Sequence, residues 1–202
     1  MTAVAVRGQG QKEFRLPTPN ELASTPEVAA RLATAFKNVP FAVPHEKIVE
    51  DAKRNTWCVQ YGIDTFAKLF TDRQLIALGT LVEITRAAGE ETRAIGHDED
   101  WVQAIWSYLG CVITRLCDYL NCGAQWKLDR ATINHFFVRY ALPVSWDFAE
   151  GNVLGDLPGS YDICLRKIAI AMDNLVVWNF GDTMPHVVRA SSSSIALEGD
   201  LV

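Results

Sequence analysis

Apolar residues return every three or four positions over most of the chain, a rhythm that predicts a series of amphipathic helices. Thr71-Asp72-Arg73-Gln74 reads as a capping box, and Leu75, Leu78, Val82 and Thr85 follow it on one face. This predicts a helix over 72–88, stopped at Gly89. The longest stripe is Trp101, Ile105, Tyr108, Leu109, Val112, Leu116, Tyr119 and Leu120, which predicts an unbroken helix up to Asn121-Cys122-Gly123. Ile133, Phe136, Phe137 and Tyr140 predict a helix over 129–142 that ends at Pro143. Tyr161, Leu165, Ile168, Met172 and Leu175 predict another that starts at Ser160. Asp64 is placed to cap one helical turn ending near Phe70. Strand is expected only around 57–61, Val144, 176–180 and 186–189.

The first forty-five residues are broken by Pro17, Pro19, Pro26, Pro40 and Pro44, so helices there are short and begin at prolines. Thr18-Pro19-Asn20-Glu21 and Thr25-Pro26-Glu27 mark two such starts, the second leading into a helix over 26–37 through Val28, Leu32 and Phe36. The expected organisation is a lead-in arm over 1–60 with one or two short helices, a helical core module over 61–190, and a truncated or disordered tail over 191–202. The fold class is mainly α, a multi-helix module with a few short strands. Residues 195–202 carry no helix cap or closing strand, as though the chain were cut where an α/β unit should continue.

Composition narrows the function classes. At 202 residues and 49% hydrophobic content the chain can bury a sizeable core. Nineteen Lys and Arg against 24 Asp and Glu give a net charge of -5, so any nucleic-acid contact must be local. Residues 61–100 hold four basic and eight acidic residues, and residues 141–202 three and eight. Residues 101–140 reverse the sign, with four basic and two acidic. That stretch holds Arg115, Trp126, Lys127, Arg130, Asn134, His135 and Arg139. Cations among aromatics there suit phosphates and an unpaired base, and a solvated helix face accounts for them equally well.

No apolar run approaches the roughly 20 residues of a membrane span, and 1–15 has no secretory apolar core, so a cytoplasmic chain without a membrane partner is expected. The five cysteines include no Cys-x-x-Cys, which argues against a disulfide framework or zinc ribbon. Cys111 and Cys122, eleven apart, are expected on one helix face as small buried hydrophobes. The four histidines have no partner at a metal-ligand spacing, so no metal site is expected. Gly8-Gln9-Gly10 precedes no helix and is not a phosphate loop.

Trp146-Asp147-Phe148-Ala149-Glu150-Gly151-Asn152 concentrates two carboxylates, an amide and two aromatics. On a helical turn Asp147 and Glu150 would share one side, able to share a proton or grip a polar ligand. The plainer alternative is a capped surface turn with its aromatics in the core.

Three blocks carry a family resemblance. They are Phe14-Arg15-Leu16-Pro17-Thr18, the run from Tyr61-Gly62-Ile63-Asp64-Thr65-Phe66 to Arg73-Gln74-Leu75, and Ala141-Leu142-Pro143-Val144-Ser145-Trp146-Asp147-Phe148-Ala149-Glu150-Gly151-Asn152 with Gly159-Ser160-Tyr161. In order and spacing they resemble the large adenine-specific DNA methylases that carry a zinc-ribbon insertion, and the likeness covers about 12–190. The resemblance implies methyl transfer from S-adenosylmethionine to the exocyclic amine of adenine in DNA. Such chemistry needs a glycine-rich turn at a helix N-terminus for the cofactor, and an Asp/Asn-Pro-Pro-aromatic loop for the flipped base. The eight prolines include no adjacent pair, and no glycine-rich strand-to-helix turn occurs.

The resemblance therefore implies the family's middle segment, a piece of or insertion beside its α/β, Rossmann-like domain, between the cofactor loop with the zinc ribbon and the catalytic loop. Residues 186–191 would fall on the strand that leads to the catalytic strand, with Ser191 where such methylases often place an acid. Alone, the segment is expected to be inactive and to bind no S-adenosylmethionine. Arg73, Gln74, Arg115, Trp126 and Arg139 are the DNA-facing candidates. Trp146, Asp147, Glu150 and Asn152 are candidates for the active-site wall, and no catalytic residue is assigned. The expected partners are DNA and the remaining methylase segments or another protein. Two other readings stand beside this one. One is a non-catalytic interaction protein that docks on a methylase or a phage-defence complex through exposed apolar surface. The other is a small-molecule enzyme using Asp147 and Glu150.

Overall fold

A computed structural model describes residues 3–9, 12–23, 25–49, 56–138 and 141–177. Among them the chain is mainly helical. Helices α1 (Pro19–Ala23) and α2 (Thr25–Ala35) follow a hairpin of β1 (Val4–Arg7) and β2 (Lys12–Arg15). Next come α3 (Trp57–Gln60), a 3-10 turn (Phe66–Leu69), α4 (Asp72–Ala94) and α5 (Glu99–Tyr119). A second hairpin, β3 (Trp126–Lys127) with β4 (Thr132–Ile133), and α6 (Tyr161–Val177) complete the order.

The large helices stack in a row, α2 on α4, α4 on α5 and α5 on α6. Leu78, Val112, Leu116, Leu120 and Cys164 form the core of that row, which is the burial that drives it together. Beside it, Ile48, Cys58, Leu69 and Phe136 make a second core, and Tyr119, Ala124 and Ile133 a third. The arm is part of this packing, because Ile48 and Cys58 come from it.

The caps form as their local sequence dictates. Thr71 Oγ1 accepts from the Gln74 N–H at 3.2 Å while the Gln74 side chain accepts from the Thr71 N–H at 2.8 Å. Asp98 caps α5 through the Trp101 N–H at 2.8 Å, with Glu99 and Asp100 in the first turn, where the helix dipole favours negative charge. Thr18 and Glu21 exchange the same reciprocal bonds at α1.

Several expectations are corrected. Residues 57–60 form a helical turn, not a strand. Cys58 is fully buried and donates its N–H to Leu142 O at 3.2 Å, and the turn closes at Gly62, whose φ of 85° needs a glycine. Asp64 caps nothing: extended Thr65 precedes the 3-10 turn, and Asp64 instead bonds Lys68 Nζ at 2.6 Å. Helix α4 passes through Gly89 and ends before Gly96, which has the positive φ a stop requires. Glu90 and Glu91 therefore lie on the helix rather than in a loop. Gly89 serves packing, since a Cβ there would collide with the Trp106 indole of α5.

The predicted helix over 129–142 does not form. Its described residues make the β3–β4 turn, β4 and an irregular segment, because their backbone donors find other partners. The Phe136 and Phe137 N–H groups bond the Asp118 carboxylate at 2.9 and 2.6 Å, and the Asn134 N–H bonds Gln125 O at 2.8 Å. Val144 packs on the second core without joining a strand. Val176 and Val177 belong to α6, and 178–180, with 186–189 and the tail over 191–202, lie outside the described residues. Cys111 is exposed on α5 while Cys122 lies past its end, so the two do not share a face. No helix among the described residues is long and apolar enough to cross a membrane.

Candidate functional site

The start of α4 and the segment after Pro143 meet. Arg73 on the first turn of α4 forms an ion pair with Glu150, whose Oε1 also accepts from Arg73 Nε at 3.3 Å and from Thr71 Oγ1 at 3.0 Å. Three donors on one carboxylate fix residue 150 against the helix. The same junction carries a ring contact between Tyr61 and Trp146, edge to face with centroids 5.5 Å apart. Trp146 is 83% exposed and Tyr61 57%, so the pair stands on the surface. The α3 end joins in through the Cys58 bond to Leu142.

This geometry changes the roles of several predicted residues. Residues 146–150 form no helical turn, and Glu150 pairs with Arg73 rather than sharing a side with Asp147. Asp147 is exposed, and its carbonyl accepts from Ser145 Oγ at 3.1 Å. Asn152 is spent on its own turn, its Oδ1 accepting from the Leu154 N–H at 3.1 Å. Gln74 is only 2% exposed and held in the cap, which takes it out of the DNA-facing set. Arg73 remains half exposed but already has an anionic partner.

The other predicted cations and aromatics lie around the end of α5. The Arg115 guanidinium sits 5.9 Å from the centroid of the Tyr119 ring. Tyr119 also stacks on His135, with centroids 5.4 Å apart and planes 18° from parallel. His135 Nδ1 lies 3.0 Å from Asp118 Oδ2. A carboxylate oxygen accepts, so Asp118 orients the imidazole while its other oxygen holds the Phe136 and Phe137 N–H groups. Burial raises the Tyr119 hydroxyl above its ordinary range, opposed by the nearby Arg115 charge.

Trp126 is not an open stacking platform. Its indole packs edge to face on Phe14 of β2, 6.0 Å between centroids, and Lys12 Nζ lies 5.3 Å from its centroid. Arg139 lies outside the described residues. Asp118 and Lys12 carry no role in the sequence reading, and Tyr119 enters it only as part of the α5 stripe. The separation of 17 residues between Asp118 and His135 follows no motif spacing, and Lys12 reaches residue 131 across 119 positions.

The chain matches no family model, no curated protein and no solved structure. Among the described residues no group of three or more His, Cys, Asp or Glu gathers to hold a metal. Burial pushes the Cys117 and Cys122 thiols up to about 11, which leaves both poor nucleophiles at neutral pH. An apolar groove of about 260 Å³ lined by Phe41, Val82, Trp106 and Ile113 includes none of the predicted site residues. The two clusters present exposed rings at one place, and cations with an oriented imidazole at the other.

Proposed function

We propose that the chain is a helical module of an S-adenosylmethionine-dependent, adenine-specific DNA methyltransferase. In this reading it acts in the cytoplasm beside a Rossmann-like α/β domain and contributes DNA contacts and part of the wall next to the active site. It transfers no methyl group by itself, because the glycine-rich turn and the Asp/Asn-Pro-Pro-aromatic loop are absent from its 202 residues. The observation that carries the reading is the meeting of the two long blocks behind the family resemblance. Residues 61–75 and 141–152 share one junction through the Arg73–Glu150 pair, the Thr71–Glu150 bond and the Tyr61–Trp146 contact. Two sequence blocks that build one surface have a physical reason to occur together.

The test is fluorescence anisotropy of the full chain with a labelled DNA duplex across a salt series, together with retention of radiolabelled S-adenosylmethionine. The expected result is salt-sensitive duplex binding, a salt slope reduced by about 1 in Arg115→Ala, and no cofactor retention. Tight cofactor binding or methylation of DNA by the chain alone overturns the proposal.

A second reading is favoured by α6, where Leu165, Ile170, Leu175 and Val176 are exposed. Such a helix suits a non-catalytic module that docks on another protein or on the remaining methylase segments. Absence of duplex binding even at low salt favours this reading over the first.

A further inference from the structure

The β3–β4 hairpin has a construction that its packing role does not explain. Its two-residue strands pair Trp126 with Ile133 and Lys127 with Thr132. Side chains directly opposite lie on the same face of a strand pair, so Trp126 and Ile133 point one way and Lys127 and Thr132 the other. Ile133 is buried in the third core, and Trp126 is held between Phe14 and Lys12 of β2. Lys12 Nζ also donates to Ala131 O, at the far end of the turn. Ala131 holds a φ of 45°, a left-handed conformation that disfavours a side chain and here is fixed by its surroundings. The first hairpin therefore clamps the second at both its base and its turn.

What this clamp presents is Leu128, 85% exposed, with Lys127 before it and Arg130 two residues on. An exposed leucine is ordinary by itself. Here it projects from a braced turn, inside the one stretch of the second half of the chain whose charge is positive. Arg130 is tied only loosely, its Nε 3.7 Å from Asp129 Oδ2 with both side chains largely exposed. An exposed pair at that distance is worth little, so a phosphate oxygen can take the place of Asp129.

We propose that this turn is a DNA wedge: Leu128 enters a groove of duplex DNA and presses at a base step while Lys127 and Arg130 contact the flanking phosphates. Inserted aliphatic side chains unstack a step, and cations beside them supply the affinity that offsets the unstacking. A protein groove would also accept a leucine, but the cations on both sides of Leu128 match a polyanion rather than an apolar pocket. The inference rests on the DNA reading above and adds the element that deforms the duplex.

The test uses the full chain and a duplex with 2-aminopurine, whose fluorescence rises on unstacking, in a salt series. The changed side chains are exposed, and circular dichroism checks that each variant keeps the fold. Wild type is expected to bind and brighten the probe. Leu128→Ala is expected to lose the brightening and bind roughly tenfold more weakly, which is the effect of losing one buried leucine contact. The double variant Lys127→Gln with Arg130→Gln is expected to reduce the salt slope by about 2. Wild-type affinity, slope and brightening in all these variants overturn the wedge and leave the DNA reading standing. Failure of the wild-type chain to bind the duplex removes both. A fall in apparent mass for Leu128→Ala, measured by light scattering, assigns the turn to a contact between copies and also overturns the wedge.

Discussion

Gly89→Ala is the sharpest test of how the helix row is packed, because two known effects oppose each other there. In an ordinary helix interior, alanine in place of glycine stabilises by about 1 kcal/mol. Gly89 is buried in α4, and an added methyl would enter the space of the Trp106 indole. Three contacts hold that ring. Its Nε1 donates to Arg86 O at 3.3 Å, and the Arg86 and Arg93 guanidiniums lie over it at 5.8 and 5.2 Å. Overpacking against a held ring costs typically 1–3 kcal/mol, and these restraints put this site toward the upper end, about 3. The steric term wins, leaving a net destabilisation of about 2 kcal/mol. For a chain of this size that lowers Tm by roughly 4–8 °C. Differential scanning calorimetry of the full chain reads it, and the same substitution in a Trp106→Leu background should be neutral or stabilising because the obstacle has gone. A Gly89→Ala chain with an unchanged or higher Tm would refute the packing argument.

Two further outcomes follow from the ion pairs. A double-mutant cycle with Arg73→Met and Glu150→Gln, read by urea denaturation, should give a coupling of about 1 kcal/mol. That is the upper range for a partly exposed pair, raised by the multiple bonds to one carboxylate and lowered by solvent; zero coupling would show that the junction does not depend on it. Glu21, bonded by the Arg15 guanidinium and the Thr18 N–H, is held down at about 2 from an ordinary 4.5. Its folded form thus binds the proton less readily than the unfolded chain, so its contribution is complete above 4.5 and is lost as pH falls toward 2. Asp64 beside Lys68 and Glu99 beside Arg93 are lowered in the same direction. The acid decline of Tm over that window should be shallower in Glu21→Gln, and an identical profile would contradict the assignment.

The elements that were legible in sequence are those whose causes lie within a few residues. The Thr71–Gln74 and Thr18–Glu21 caps need only a three-residue reach, and α5 declares itself by a long stripe. The elements that were misread are set by partners far along the chain. Phe136 and its neighbours have helical spacing, yet Asp118 takes their N–H groups and Trp126 pairs across to Ile133, so the segment folds as hairpin and loop. Gly89 resembles a stop, but what selects glycine there is the ring of another helix. Trp57 to Tyr61 looks like strand by residue type, and burial of Cys58 with the reversal at Gly62 decides otherwise.

The candidate site divides in the same way. Arg73 and Glu150 were each singled out, one as a DNA contact and one as a wall carboxylate, but nothing in a linear reading joins positions 77 apart. Once joined, they change what each is available to do. A guanidinium already opposite a carboxylate offers less to a phosphate, since the pair must open and the carboxylate then repels the incoming anion. Gln74 is buried in its cap. Cations able to meet a polyanion without first leaving a close internal partner are therefore sought elsewhere, and the described structure gathers them around the end of α5 and the β3–β4 turn. Arg115 there faces a ring rather than an acid, and Arg130 is held only at 3.7 Å. If DNA binds this chain, electrostatics directs it to that end first, while the Arg73–Glu150 pair fixes residue 150 against the start of α4.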